Sequence, residues 1–106
     1  MKNILIIILV ISSLETAFSQ DIAIARTQPL LSTVTVTGIV TNGSELGEIR
    51  YIQDGTAGIA LYDTTANSYL SNVLRGDSIT ITGGLDVFNG LLEIYVAGFP
   101  IIHSMA

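Results

Sequence analysis

From residue 33 onward, apolar and polar side chains alternate in short runs broken by turn residues. Across residues 33–41, Val34, Val36 and Val40 fall on one face and Thr33, Thr35, Thr37 and Thr41 on the other. This period-two pattern predicts a half-buried strand. Gly38 interrupts it, and a glycine in such a place marks an expected bulge or sharp bend. Asn42-Gly43-Ser44 closes the run. Residues 48–54 and 59–63 predict the second and third strands around the loop Gly55-Thr56-Ala57-Gly58. A four-residue loop there sets Tyr51 opposite Tyr62 and Ile52 opposite Leu61, and opposed residues share a face. With Ile52 and Leu61 inward, Tyr51, Tyr62, Ala60 and Gln53 point outward.

Residues 64–74 leave the alternation. Tyr69, Leu70, Val73 and Leu74 recur at helical spacing behind Asn67 and Ser68, which are cap-forming residues, so a short helix is expected between the third and fourth strands. Gly76-Asp77 then leads into residues 78–83, where Ile79 and Ile81 alternate with threonines. Asn89-Gly90 is the strongest hairpin signal in the chain, and it joins residues 85–88 to residues 91–96. Ahead of all this, Ile22, Ala23, Ala25 and Arg26 suit a brief helical turn that Pro29 ends. Turn signals at this spacing predict a β-sandwich or barrel whose core includes Val36, Ile52, Leu61, Ile81 and Ile94.

The first nineteen residues differ in kind. Lys2 supplies a positive start, Ile4 to Ile11 form an unbroken aliphatic run, and Ala17-Phe18-Ser19 places small residues at positions −3 and −1 of a cleavage site. That is the build of a secretory signal peptide. The run is too short to span a bilayer, which takes about 20 apolar residues. Residues 1–19 are therefore read as a leader and residues 20–106 as one domain, with export to the periplasm or cell surface and no membrane association after cleavage.

Past the leader no lysine remains, and Arg26, Arg50 and Arg75 face eight carboxylates, a balance of −5. Such a surface lacks the basic footprint on which nucleic-acid affinity usually rests. With no cysteine in the chain, strand pairing and apolar packing must supply the stability that disulfides give many exported domains.

Little in the residues points to catalysis or metal binding. His103 is the sole histidine and has no cysteine to accompany it. Asp54, Asp63 and Asp77 each stand beside Gly or Thr at strand ends, where an aspartate commonly accepts hydrogen bonds from nearby backbone amides, and their spacing fits no calcium loop. Arg75-Gly76-Asp77 spells an adhesion tripeptide, but its place at a strand entrance reads as a turn. No catalytic residue, metal or cofactor is expected.

Five strands with a short helix between the third and fourth is the order of an OB-fold, a five-stranded antiparallel Greek-key barrel. Residues 33–38, Tyr51-Ile52-Gln53-Asp54, Gly58-Ile59-Ala60-Leu61-Tyr62, residues 75–83 and residues 88–94 together resemble OB-fold domains of exported bacterial proteins, which often stand beside an extracellular nuclease or cell-surface domain. They resemble less closely the small stand-alone OB-fold proteins of the periplasm. The resemblance implies a ligand-binding module rather than an enzyme. Its ligand would be single-stranded nucleic acid, with the module as accessory to a nuclease or other domain downstream, or alternatively a carbohydrate or protein at the envelope. The expected ligand residues are Tyr51, Tyr62, Arg50 and Gln53, since bases and sugar rings both stack on tyrosine and OB-folds bind on this sheet.

Overall fold

The computed structural model describes residues 19–64 and 66–104. All but the last residue of the expected leader lies outside them. A short helix α1 (Ile22–Ala25) precedes strands β1 (Thr33–Val40), β2 (Ile49–Gln53), β3 (Gly58–Tyr62), β4 (Ser78–Phe88), β5 (Leu91–Val96) and β6 (Ile101–Ser104), with a 3-10 turn at Ser44–Leu46. β1 pairs with both β2 and β4, β2 with β3, β3 with β5, and β5 with β4, so β1 to β5 close on themselves as a barrel. β6 adds to the outside edge of β4. Every barrel pairing is antiparallel except β3–β5, which is parallel.

The alternation seen in the sequence becomes the inside and outside of this barrel. Val36, Ile52, Leu61, Ile81 and Ile94 are each at most 1% exposed, joined in one core by Val34, Val40, Ile79, Leu85 and Val96. On the outside of β1 and β4 the threonines pair across strands, Thr35 with Thr82 at 2.8 Å and Thr37 with Thr80 at 2.6 Å. His103, on β6, meets Thr80 at 2.6 Å.

Two glycines are fixed by the close approach of neighbouring strands. A Cβ on Gly83 would come within 2.2 Å of the Tyr95 carbonyl oxygen, and one on Gly38 within 2.8 Å of the Gln53 carbonyl oxygen. The expected bulge at Gly38 is absent, because β1 runs in unbroken register with β4 from Thr33 to Ile39. The glycine instead makes room for β2. Asn89 and Gly90 form the predicted tight turn, with φ of 51° and 82°.

Three further expectations need correction. Among the described residues between β3 and β4 there are turns and no helix. Asp63 accepts hydrogen bonds from the amides of Thr64 and Leu70, Asp77 accepts from the amide of Leu74, and Ser68 adopts a left-handed φ of 56°. Side chains thus take the backbone groups that a helix would pair, while Leu70 and Val73 still reach the core. Second, the barrel is not antiparallel throughout, as β3–β5 shows.

The third correction concerns the β2–β3 hairpin, whose ladder ends at Gln53 opposite Gly58, setting Tyr51 opposite Ala60 and Tyr62 opposite Ile49. Asp54 belongs to the loop: its carboxylate accepts from the amides of Thr56 and Ala57 and from the Thr56 hydroxyl. Moving the loop back by one residue shifts each partner by two positions, which preserves the faces. Tyr51 and Tyr62 therefore share the outer face but are diagonal neighbours.

The ends of the barrel are plugged by unlike pieces. Ile22 and Ala25 of α1 are fully buried, and the Ile22 amide donates to Asp54 at 2.9 Å. Leu70 and Val73 pack at the other end of β2 and β3. Leu61→Ala and Ile81→Ala should each cost about 2–5 kcal/mol in urea unfolding, since each opens a cavity in a sealed barrel. Thr82→Ala should cost about 1 kcal/mol, the worth of one exposed cross-strand hydrogen bond. Equal losses at both kinds of site would contradict the inside–outside assignment.

Candidate ligand-binding face

The outer surface of β2, β3, β5 and β4 is ordered by strand register. One row across the strands reads Tyr51, Ala60, Glu93, Asp86, and the next reads Ile49, Tyr62, Tyr95, Gly84. Tyr62 and Tyr95 are adjacent because of the parallel β3–β5 pairing, with ring centroids 5.7 Å apart and planes inclined at 52°. Ala60, small and set between Tyr51 and Glu93, leaves a depression in the first row.

Two concavities open on this face. The larger, of about 370 Å³, lies between Tyr51, Gln53, Gly58, Ala60, Leu91 and Arg26. The smaller, of about 150 Å³, is formed by Tyr62, Tyr95, Phe88, Asp86 and Glu93. Tyr51 is half-buried and Gln53 exposed at the rim of the larger groove. Arg26 reaches the groove from the segment after α1 and donates to the Gly58 carbonyl at 3.1 Å.

Of the four residues expected to contact a ligand, Tyr51, Tyr62 and Gln53 are on this face and Arg50 is not. Arg50 shares the inward parity of Ile52 and is 3% exposed. Its guanidinium donates to the carbonyls of Gly47 at 2.8 Å, Ile49 at 3.1 Å, and Val73 and Leu70 at 3.4 Å each. It ties the turn segment after β3 to the base of β2, where it has no direct path to a ligand on the outer face.

The other charges fall into structural and unexplained groups. Hydrogen bonds from Thr56, Ile22 and Ala57 hold the Asp54 carboxyl far below its ordinary range. Arg75 pairs with Glu45 and donates to the Thr41 carbonyl at 3.2 Å. Asp77 is 1% exposed and its carboxylate accepts from the Leu74 amide, so the acid of the Arg-Gly-Asp tripeptide is turned inward while Arg75 and Gly76 stay exposed. Glu93 differs: it is 5% exposed on the outer face, and burial together with the nearby Asp86 charge raises its carboxyl above the usual value. Among the described residues no group of three or more His, Cys, Asp or Glu is placed to hold a metal ion.

Comparison with solved structures decides the fold. The structure of the hypothetical protein YgiW from E. coli superimposes with a TM-score of 0.68 at 16% identity, covering 83% of this chain and 92% of that one. The chain is an OB-fold-like barrel. At that identity the likeness concerns fold alone. No family model matches the sequence, and no curated protein matches it.

The OB-like barrel places on its outer face several residues that the strand pattern did not single out: Arg26, Asp86, Glu93 and Tyr95. Their sequence signal was the outward parity of Glu93 and Tyr95. What was missing was the pairing of β3 with β5, which turns that parity into contact with Tyr62.

The two shifted carboxyls predict opposite pH effects. Asp54, with its folded value depressed, contributes stability that is present above its unfolded value near about 4 and lost as pH falls. Glu93, with its folded value raised, contributes stability only below about pH 4 and loses it as pH rises. Thermal melts should therefore show Glu93→Gln raising the midpoint at pH 7 and Asp54→Asn lowering it, with both differences shrinking towards pH 3. A fall in midpoint for Glu93→Gln at pH 7 would contradict the description of Glu93 as a buried, uncompensated acid.

Proposed function

We propose that this chain is a non-catalytic binding module of an exported protein, and that the groove beside Tyr51 receives an uncharged, ring-bearing ligand such as an oligosaccharide. The observation that carries this reading is the sorting of charge: Arg50 is buried away from this face, while Asp86 and Glu93 stand on the same outer face as Tyr51 and Tyr62. A face with two carboxylates and one groove-lining cation, Arg26, disfavours a polyphosphate chain. A sugar ring needs only an aromatic face and nearby hydrogen-bonding groups, which Tyr51, Gln53 and Thr41 supply along the groove. Single-stranded nucleic acid, the ligand that the sequence resemblance favours, would have to bind by stacking with little help from phosphate contacts.

Calorimetric titration with cellohexaose, chitohexaose and a short single-stranded DNA, each at 20 and 150 mM salt, separates these ligands. The expected result is saccharide binding that barely changes with salt and weakens by about 1–3 kcal/mol in Tyr51→Ala, the worth of one stacking contact carried over from bases. With Arg26 the only cation in the groove, any DNA binding should show a salt slope of about −0.7, one neutralised phosphate on a single strand. DNA binding that is tighter than saccharide binding, with a slope of about −2 or steeper, would overturn the proposal.

A further inference from the structure

The smaller concavity has a chemistry of its own. Its walls are the rings of Tyr62, Tyr95 and Phe88, and its polar groups are the paired residues Asp86 and Glu93 on adjacent strands. Asp86 is exposed and accepts from the amide of Val87 at 2.8 Å. Glu93 is 5% exposed as a residue, its carboxylate oxygens lie at the surface of the pocket rather than sealed beneath it, and it takes part in none of the hydrogen bonds or ion pairs among the described residues. A buried carboxylate ordinarily has a cation or several donors to offset its lost hydration. Here the groups that line the pocket with it are a second carboxylate, Asp86, and the rings of Tyr62, Tyr95 and Phe88. The three arginines past the leader are all engaged elsewhere: Arg26 with Gly58, Arg50 with four carbonyls, and Arg75 with Glu45.

We propose that this pocket binds an organic cation, a primary ammonium or guanidinium group, held between the aromatic rings and the Asp86–Glu93 pair. Each wall favours that charge and disfavours the alternatives. The negative faces of aromatic rings attract cations, most strongly where water is excluded, and two carboxylates repel phosphate, sulfate and carboxylate groups. The volume of about 150 Å³ fits the head of one side chain or small amine and is too small for a stacked sugar chain. Burial and the Asp86 charge raise the Glu93 carboxyl, and a cation bound beside the pair would oppose that rise. The Tyr51 groove is a separate concavity, so the two proposals stand or fall separately.

The test is an NMR titration of the folded chain at pH 7 with n-pentylammonium, its neutral isostere 1-pentanol, arginine amide, and a lysine tripeptide compared with its Nε-acetylated form. Saturable shifts at the amides of Tyr62, Glu93 and Tyr95 are expected with the cations, and none with pentanol or the acetylated peptide. Glu93→Gln should weaken cation binding about fivefold or more, roughly the worth of one ion pair. That variant is expected to be more stable than the parent, so lost binding cannot be put down to unfolding. Tyr95→Ala should weaken binding while leaving both carboxylates in place. Preference for the small amines or for the tripeptide assigns the source of the cation, a free amine or a basic protein side chain. Equal shifts with pentanol, no saturation with any cation, or unchanged affinity in Glu93→Gln would overturn the proposal.

Discussion

The parallel pairing of β3 with β5 closes the sheet, and both the core and the outer face depend on it. Without that ladder, β2 and β3 would form a hairpin attached only through β1, leaving the backbone groups along one edge of β3 unpaired. The ladder sets Leu61 beside Ile94 inside the barrel and Tyr62 beside Tyr95 outside it. One register thus serves both surfaces: a slip of one residue would carry Leu61 out of the core and the tyrosines into it. The short strands bring few pairs to this contact, so plugging residues at the barrel ends matter. Ile22, Ala25, Leu70 and Val73 seal what the strands leave open.

Charge is distributed against the usual expectation for a small domain. The cation best placed by sequence to meet a ligand, Arg50, is buried as a structural clamp, and it substitutes for a helix by holding the carbonyls of Leu70 and Val73. Glu93, the largely buried acid on the outer face, takes part in none of the hydrogen bonds or ion pairs among the described residues. Buried charge without a partner destabilises a fold, and it is commonly found where binding uses it. The same reasoning joins the two proposals: a face that excludes phosphates is open to neutral rings in one groove and to cations in the next.

Much of this fold was legible in the sequence because alternation reports facing directly. The inward residues of β1, β2, β3, β4 and β5 are those that the period-two pattern picks out, and Asn89-Gly90 forms the tight turn that its residue types require. The aspartates at strand ends were also readable, since Asp54, Asp63 and Asp77 do accept backbone hydrogen bonds. The helix expected over residues 64–74 failed because helical spacing says which residues reach the core, not whether the backbone pairs with itself. Leu70 and Val73 are buried as that spacing implies, while Asp63, Asp77 and Arg50 take the backbone groups. The assignment of Arg50 to the ligand face overlooked that alternation gives it the parity of Ile52. Asp86, Glu93 and Tyr95 escaped because their grouping with Tyr62 depends on a pairing between distant segments, about which local pattern carries no information.

Amide hydrogen exchange on the ligand-free chain tests the barrel closure on which the rest depends. If β3–β5 closes the barrel, the hydrogen-bonded amides of residues 60–62 and 93–95 should exchange only through global unfolding, with the same free energy as those at the centre of β4. Cross-strand contacts between Leu61 and Ile94 should accompany that protection. Exchange in this ladder as fast as in the exposed edge strand β6, while β4 remains protected, would mean that the barrel is open and that the face joining Tyr62, Tyr95 and Glu93 is not a fixed feature of the molecule.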